Sequence, residues 1–426
     1  MKRTWLISFA FSIGAAAGAY LEPRQVSYDG YEVVRMSVGS GVPRVVEIIE
    51  KLALDSWQEP HKARDFAEIV VPPEKINAFH LEIAGMDAVV MHEDLGASIS
   101  AERQPADGVV FTRSDADINR TWFQSYHQYL DHVSFLEDLV AKYPNNSEII
   151  TSGLSYQGND ISAIHIYGSS GRGVRPAVVF HGTVHAREWI TTLVVEYFAE
   201  RLLANHNSDA EIKAFVDNYD FYLYPVVNPD GFIYTHYDRQ WRKNRQPNAN
   251  STCIGRDINR NWPYNWNTPN GSSTDPCDRA FRGATAGDAP ETQALVKALH
   301  EIHRQQGLKL YIDWHSFSQV FMTPYGYNCS YLAENNDEMQ LIASGAAKAM
   351  TSLYGTPYRS GSICQVMYQA SGNGIDYVTD IVGGDYSFAV ELRDSGYYGF
   401  VLPPEQIIPT SREAFEGVKY LLRNMR

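Results

Sequence analysis

The sequence predicts an α/β fold, with a mixed or mostly parallel sheet covered by helices on both faces and a smaller α/β unit ahead of it. Three observations carry this expectation. From residue 122 onward, short apolar runs of strand character alternate with helical patterns. At 426 residues and 44% hydrophobic composition, the chain exceeds one average domain and can fill a large core beside a small one. No internal repeat or low-complexity tract interrupts the alternation.

Taken in order, Met1-Lys-Arg-Thr is followed by an apolar run over 5–14 and by small residues ending in Ala17-Gly-Ala19. That is the pattern of a secretory signal peptide over residues 1–19, too short to span a bilayer, so the mature chain is expected to be secreted and extracellular. A buried N-terminal helix is the plainer alternative. No later segment offers 18 consecutive apolar residues, so no membrane association is expected. The small unit covers residues 20 to about 100, with strands predicted over 31–37, 66–71 and 88–92 and helical patterns over 42–52 and 73–79. Residues 101–121 turn polar and carry Arg103, Arg113 and Arg120 with Pro105 and Gly108, which reads as an exposed, cleavable connector or, more plainly, as an ordinary linker. Beyond it the patterns predict a helix over 125–142, strands over 161–167 and 177–180, and an amphipathic helix over 188–203. Further strands are predicted over 220–226, 309–313 and 386–392.

The formal net charge of −14 argues against a nucleic-acid partner, which calls for a basic face. With no long acidic block the charge reads as a solvated surface, and with no heptad or other assembly signal a monomer is the default. Four cysteines, Cys253, Cys277, Cys329 and Cys364, form an even number behind a signal peptide and predict disulfides; no C-x-x-C spacing supports a metal site built from them. Loop length favours Cys253 with Cys277. Asn119, Asn145, Asn250 and Asn270 stand in N-x-S/T sequons and are candidate glycosylation sites, whereas a bridge at Cys329 would hinder use of Asn328.

The chemistry concentrates in Phe180-His-Gly-Thr-Val-His185-Ala-Arg-Glu188, where His and Glu at i and i+3 can reach one metal ion. His315, at the end of the alternating run 308–315, is the best third ligand. Two His and one Glu with an open fourth position form a catalytic rather than a structural zinc pattern. His181 lies too early in the motif, and His300-Glu-Ile-His303 is one residue short of H-E-x-x-H; both read as surface or supporting residues. Glu391 sits in an otherwise apolar run, where a carboxylate is costly unless it has a task; a structural ion pair with Arg393 is the alternative.

These residues stand in order with Trp241-Arg242-Lys243, Asp257-Ile-Asn259-Arg260-Asn-Trp262, His315-Ser316, Tyr368-Gln-Ala-Ser371 and Ala389-Val-Glu391-Leu-Arg393-Asp394. In this order the chain resembles the zinc carboxypeptidases of the pancreatic A/B type over residues 114–426, with a weaker likeness upstream to their pro-region. The resemblance implies an eight-stranded mixed sheet sandwiched by helices, a ferredoxin-like activation pro-domain with its connector over 20–113, and a catalytic domain over 114–426. It implies one zinc ion on His185, Glu188 and His315, Glu391 as general base, and Arg242 stabilising the developing oxyanion. It further implies Asn259, Arg260 and Tyr368 on the substrate's terminal carboxylate, Arg187 as an outer contact, and the bridges Cys253–Cys277 and Cys329–Cys364.

By the same resemblance, Ile375 falls where the family has the base of its selectivity pocket, apolar in the A type and acidic in the B type, and Ala389 and Ile363 at matching pocket positions are also apolar or small. A one-residue slip onto Asp376 would reverse the reading, and Phe317 replaces a Tyr common among relatives. The expected function is that of a secreted zinc metallocarboxypeptidase zymogen, freed by an activating protease, that trims apolar or aromatic residues from peptide and protein C-termini. A B-type enzyme for basic C-termini and a catalytically silent peptide-binding protein are the alternatives.

Overall fold

A computed structural model describes residues 25–60, 66–106 and 119–426. The segment 1–19 and the bond after Arg113 lie outside the described residues. The small unit runs β1 (Glu32–Ser37), α1 (Val42–Leu52), β2 (Asp55–Gln58), β3 (Phe66–Val71), α2 (Ile76–Glu82), β4 (Ala88–His92) and α3 (Leu95–Glu102). Its antiparallel sheet has the order β2-β3-β1-β4, the arrangement of a ferredoxin-like βαββαβ unit. Val34, Met36 and Ile69 of the strands pack on Val45 and Ile48 of α1 and Phe79 of α2. The helix predicted over 73–79 starts as a single 3₁₀ turn, Pro73–Lys75, and α2 continues it to Glu82. Helix α3, capped by Asp94 accepting from the Ala97 N–H, takes over the first two residues of the predicted connector.

The larger unit runs α4 (Tyr129–Lys142), β5 (Ser147–Leu154), β6 (Asp160–Ile166), β7 (Ala177–His181), α5 (Trp189–Asn205), α6 (Ala210–Asn218), β8 (Asp220–Tyr224), α7 (Pro229–Tyr234) and α8 (Pro290–Gln306). It continues through β9 (Leu308–His315), β10 (Val320–Thr323), α9 (Asn336–Tyr354), β11 (Arg359–Ser362), α10 (Ile363–Val366), α11 (Gly374–Tyr377), β12 (Tyr386–Glu391) and α12 (Ile407–Asn424). The eight strands are ordered β11-β10-β12-β9-β7-β8-β6-β5. The central four, β12-β9-β7-β8, are parallel, so their C-terminal ends share one edge, where α/β folds place their sites. Period-two alternation divides the core. Phe180, Ile312, Trp314 and Phe388 face α5, α9 and α12, while Val179, Tyr311 and Ala389 face α8. Both predicted disulfides, Cys253–Cys277 and Cys329–Cys364, are formed.

Two helices depart from their sequence patterns. α4 begins at Tyr129 rather than near 125, because Gln128 and Asp131 make a reciprocal capping box there. α5 is not amphipathic: every residue from Trp189 to Leu203 is buried, because α12 covers the face turned from the sheet. Its polar residues are served inside the protein, as where Glu196 accepts from Trp122 Nε1 at 2.9 Å and lies 2.7 Å from His132.

The two units meet over an apolar patch in which Trp57 of β2 stands edge-on to Phe317 and Phe400. Beside it, Glu102 and Arg239 form a two-pronged ion pair, both contacts 2.6 Å, with each side chain 1% exposed.

Candidate active site

Strand β7 ends at His181, and the chain then turns toward the sheet edge. A Cβ at Gly182 would stand 2.7 Å from the Pro225 carbonyl, so the turn requires glycine. Thr183 follows with φ +55°, its hydroxyl held among Thr191, Thr192 and the Pro225 carbonyl. This turn carries His185 forward and sets Glu188 at the start of α5. Strand β9 delivers His315 as its last residue, and parallel register puts Glu391, the last residue of β12, beside it.

The three sequence-predicted ligands converge in a buried cluster, their donor atoms all within 4.8 Å of one another. His185 Nδ1 lies 2.8 Å and His315 Nδ1 3.1 Å from the Glu188 carboxylate, and the two Nδ1 atoms are 3.1 Å apart. The opposite ring nitrogens face carboxylates: His185 Nε2 is 3.2 Å from Asp257 and His315 Nε2 is 3.0 Å from Asp313. A ring that gives its Nε2 proton to a carboxylate turns an Nδ1 lone pair inward. Two lone pairs and a carboxylate facing one point demand a cation, so these residues fit a zinc ion. The surrounding charges agree. Burial would raise the Asp257 carboxyl, but Arg242 beside it holds it well below the usual carboxylate range, so it stands as an anion facing His185 Nε2.

The other predicted residues surround this cluster. Arg242 engages Asp257 through Nε and Nη2 at 3.1 and 2.7 Å, with Nη1 3.8 Å from Glu188. Asn259 packs beside His315, its Nδ2 3.1 Å from Nε2, and its Oδ1 accepts from the Gly374 N–H at 2.9 Å, which sets the loop that bears Ile375 against the metal centre. Arg260 Nη2 donates to the Tyr368 hydroxyl at 3.1 Å. Arg187 is buried with its guanidinium 3.8 Å above the Phe400 ring, and burial first, then Arg279 and Arg242, push its pKa down to about 9. Ile375 is 1% exposed, with Ala389 and Ile363 also buried. The Asp376 carboxylate instead accepts from the Gly326 and Tyr327 N–H groups, both at 3.0 Å, and from Asn373 Nδ2 at 2.6 Å.

Several alternatives are decided by these contacts. Arg393 pairs with Glu413 and also donates to Gln406 and Thr356. His181 is not a surface residue: it is fully buried, 3.0 Å from the Tyr311 hydroxyl, and burial holds its pKa down at about 4. His300 Nε2 lies 2.9 Å from the Tyr377 hydroxyl, and among the described residues neither it nor His303 joins a metal-capable group. Sequence reasoning gave no role to Asp257 or Asp313. Both carried a signal, since each stands two residues before an assigned one, and on strand β9 that spacing returns Asp313 to the face of His315.

The zinc carboxypeptidase family model matches residues 132–417, and the carboxypeptidase activation peptide model matches 44–102. A metallocarboxypeptidase A-like protein of Trichophyton verrucosum is 46% identical over 426 residues, covering 99% of each chain. Carboxypeptidase A2 of Rattus norvegicus is 34% identical over 385 residues, covering 89% of each. The crystal structure of thrombin activatable fibrinolysis inhibitor superposes with a TM-score of 0.83 at 26% identity, over 92% of this chain and 98% of that one. The matched family works with one catalytic zinc ion, which the donor set above fits. The chain therefore belongs to the zinc carboxypeptidase family, as a zinc-dependent hydrolase that carries its own activation peptide.

Proposed function

We propose that the chain is a secreted zymogen which, once cleaved, removes apolar or aromatic residues from the C-termini of peptides and proteins. The observation that carries the A-like preference is the loop at Ile375: its apolar side chain is buried beside Ala389 and Ile363, while the neighbouring acid, Asp376, is engaged by the backbone at 326 and 327. A basic C-terminal side chain would then meet no free carboxylate there.

When bound, zinc supplies a Lewis acid that polarises a carbonyl and acidifies water. Glu391, in register with His315, takes the proton from the attacking water and returns it to the leaving amine. Arg242, already aimed past Asp257 toward Glu188, offers its guanidinium to the developing oxyanion. Asn259 and Arg260, with the Tyr368 hydroxyl, clasp the free terminal carboxylate, and Arg187 contacts the peptide further out. The pro-domain packs over this cleft through Trp57 and Glu102, which supports latency by coverage, ended by cutting after Arg113 so that the catalytic domain begins near Ser114. Secretion rests on the pattern over 1–19, and all four candidate glycosylation asparagines, Asn119, Asn145, Asn250 and Asn270, are exposed.

The test is to treat the secreted precursor with limited trypsin, sequence the new N-terminus, and assay peptides ending in Phe, Leu, Lys and Arg with and without a chelator. Release of Phe and Leu that depends on cleavage and is lost with chelator is expected, together with no hydrolysis of C-terminally amidated peptides. A preference for Lys or Arg would make the enzyme B-like, and an intact precursor as active as the cleaved protein would end the latency proposal. Ile375→Asp should move the preference toward Lys and Arg.

A further inference from the structure

The Cys253–Cys277 bridge fixes the loop that carries Arg279, and Lys243 Nζ donating to the Asp278 carbonyl at 3.0 Å steadies it further. Arg279 lines a cavity of about 710 Å³ between the pro-domain and the catalytic domain, shared with Arg187 and with Arg242 beside Glu188. The catalytic wall of this cavity carries Arg187, Arg242, Lys243, Arg245 and Arg279 against Asp238 and Asp278, whereas the pro-domain wall supplies Glu50, Asp55 and Glu59. On a protein of net charge −14, a cationic cleft faced by an acidic cover is a local reversal of sign.

The cations are not equivalent. Arg242 is turned onto Asp257, and Lys243 onto the Pro276 and Asp278 carbonyls. Arg187 lies over Phe400, and Arg245 over Tyr234 and Trp241. Arg279 is held directly by the pro-domain: it donates to the Ser56 carbonyl and pairs with the Glu59 carboxylate at 2.8 Å, whereas Arg187 feels Asp55 only through space. Both partners belong to β2, an edge strand of the pro-domain sheet, or to its immediate continuation. An extended backbone carbonyl with a nearby carboxylate is the chemistry of an acidic peptide, and removing the pro-domain returns that donor surface to the cleft.

We propose that Arg279 is a specificity-determining residue, which selects peptides bearing an acidic side chain upstream of the cleaved bond by taking the place on the substrate that Glu59 holds in the precursor. This rests on the carboxypeptidase reading and names the substrate class for its outer cleft. The precursor pair is partly exposed, 25% for Arg279 and 64% for Glu59, so its effect is modest. Attraction for Glu and repulsion of Lys together should give about a 3- to 10-fold preference in kcat/KM, expressed mainly in KM and shrinking in about 1 M salt.

The experiment uses the full precursor activated by limited trypsin and a peptide series ending in Phe, with Glu, Gln or Lys placed in turn at successive upstream positions. The readout is the Glu-to-Lys ratio of kcat/KM, which cancels the amount of active enzyme. The wild type should favour Glu at one upstream position, with the ratio falling as salt rises; Arg279→Gln should bring the ratio near one and Arg279→Glu should invert it. A wild-type ratio near one at every position, or a preference for Glu that both variants retain, overturns the proposal. Should the wild type release no C-terminal residue from any peptide, the carboxypeptidase reading itself falls, and this proposal with it.

Discussion

The metal centre and the seam beneath the pro-domain handle charge in opposite ways. At the centre, buried groups interlock: Glu188 meets two histidines, and each histidine meets a further carboxylate. Arg242 holds one of those carboxylates from behind. Every one of these residues lies between 185 and 315, so among the described residues the ligand set is assembled without the pro-domain. The seam is instead an apolar patch of Trp57, Phe317 and Phe400 beside a buried pair, Glu102–Arg239, and a partly exposed pair, Glu59–Arg279. Removing the cover therefore changes what can enter, while the metal centre keeps all its own contacts.

The largest effect expected from breaking this division is at the base. Glu391→Gln should lower kcat by about 10²- to 10⁴-fold while peptide binding persists, as measured by turnover beside a direct binding assay. Near-normal turnover would assign the proton to another group.

The seam should answer next. Glu102→Ala leaves Arg239 buried without its carboxylate and should weaken the hold of the cleaved pro-segment by about 3 to 5 kcal/mol. Replacing both partners, as Glu102→Leu with Arg239→Met, should recover much of that loss, because the same burial then costs no unpaired charge. Titrating the cleaved enzyme with added pro-segment reads both variants, and a double variant as weak as the single one would refute the argument.

Smaller again is the support behind a ligand. Asp313→Asn keeps the side chain's shape but removes the charge facing His315 Nε2, and zinc affinity should fall by about 10- to 100-fold in competition with a chelator.

The smallest effect concerns Asp376, which, unlike the carboxylates at the centre, has no cation among its partners. Burial, opposed by the Gly326 N–H, leaves its pKa pushed up to about 7. The folded chain then keeps a proton that the unfolded chain releases near pH 4, so this contribution to stability is full below about pH 4 and lost as pH rises through about 7. Asp376→Asn lacks that dependence, and its Tm should fall less steeply between those limits, by about 2 to 4 °C, in thermal melts across the range. Parallel profiles would mean that the carboxyl is ionised throughout.

What could be read in the sequence follows from how local each signal is. His185 and Glu188 sit within one turn, and His315 and Glu391 close apolar runs, so strand ends announced both. The central strands were legible because both faces are buried and their runs are apolar. Two edge strands were not: Arg359-Ser-Gly-Ser362 and Asp55-Ser-Trp-Gln58 carry little apolar alternation and owe their form to a neighbouring strand. α5 misled because its polar residues imply a wet face, and only the placement of α12 makes that face an interior. Asp257 and Asp313 stayed without a role because a histidine's outer partner is decided by which strands lie side by side.

The pairing of His315 with Glu391 across β9 and β12 acts as a ruler. A ligand and a base on adjacent parallel strands are separated by the sheet's own repeat of about 4.8 Å, a spacing common to every sheet and indifferent to side-chain packing nearby. It admits no fine adjustment: shifting either strand by one residue would turn its functional side chain to the opposite face. Substitutions around this pair can change what each group does, but the gap between them is set in whole steps.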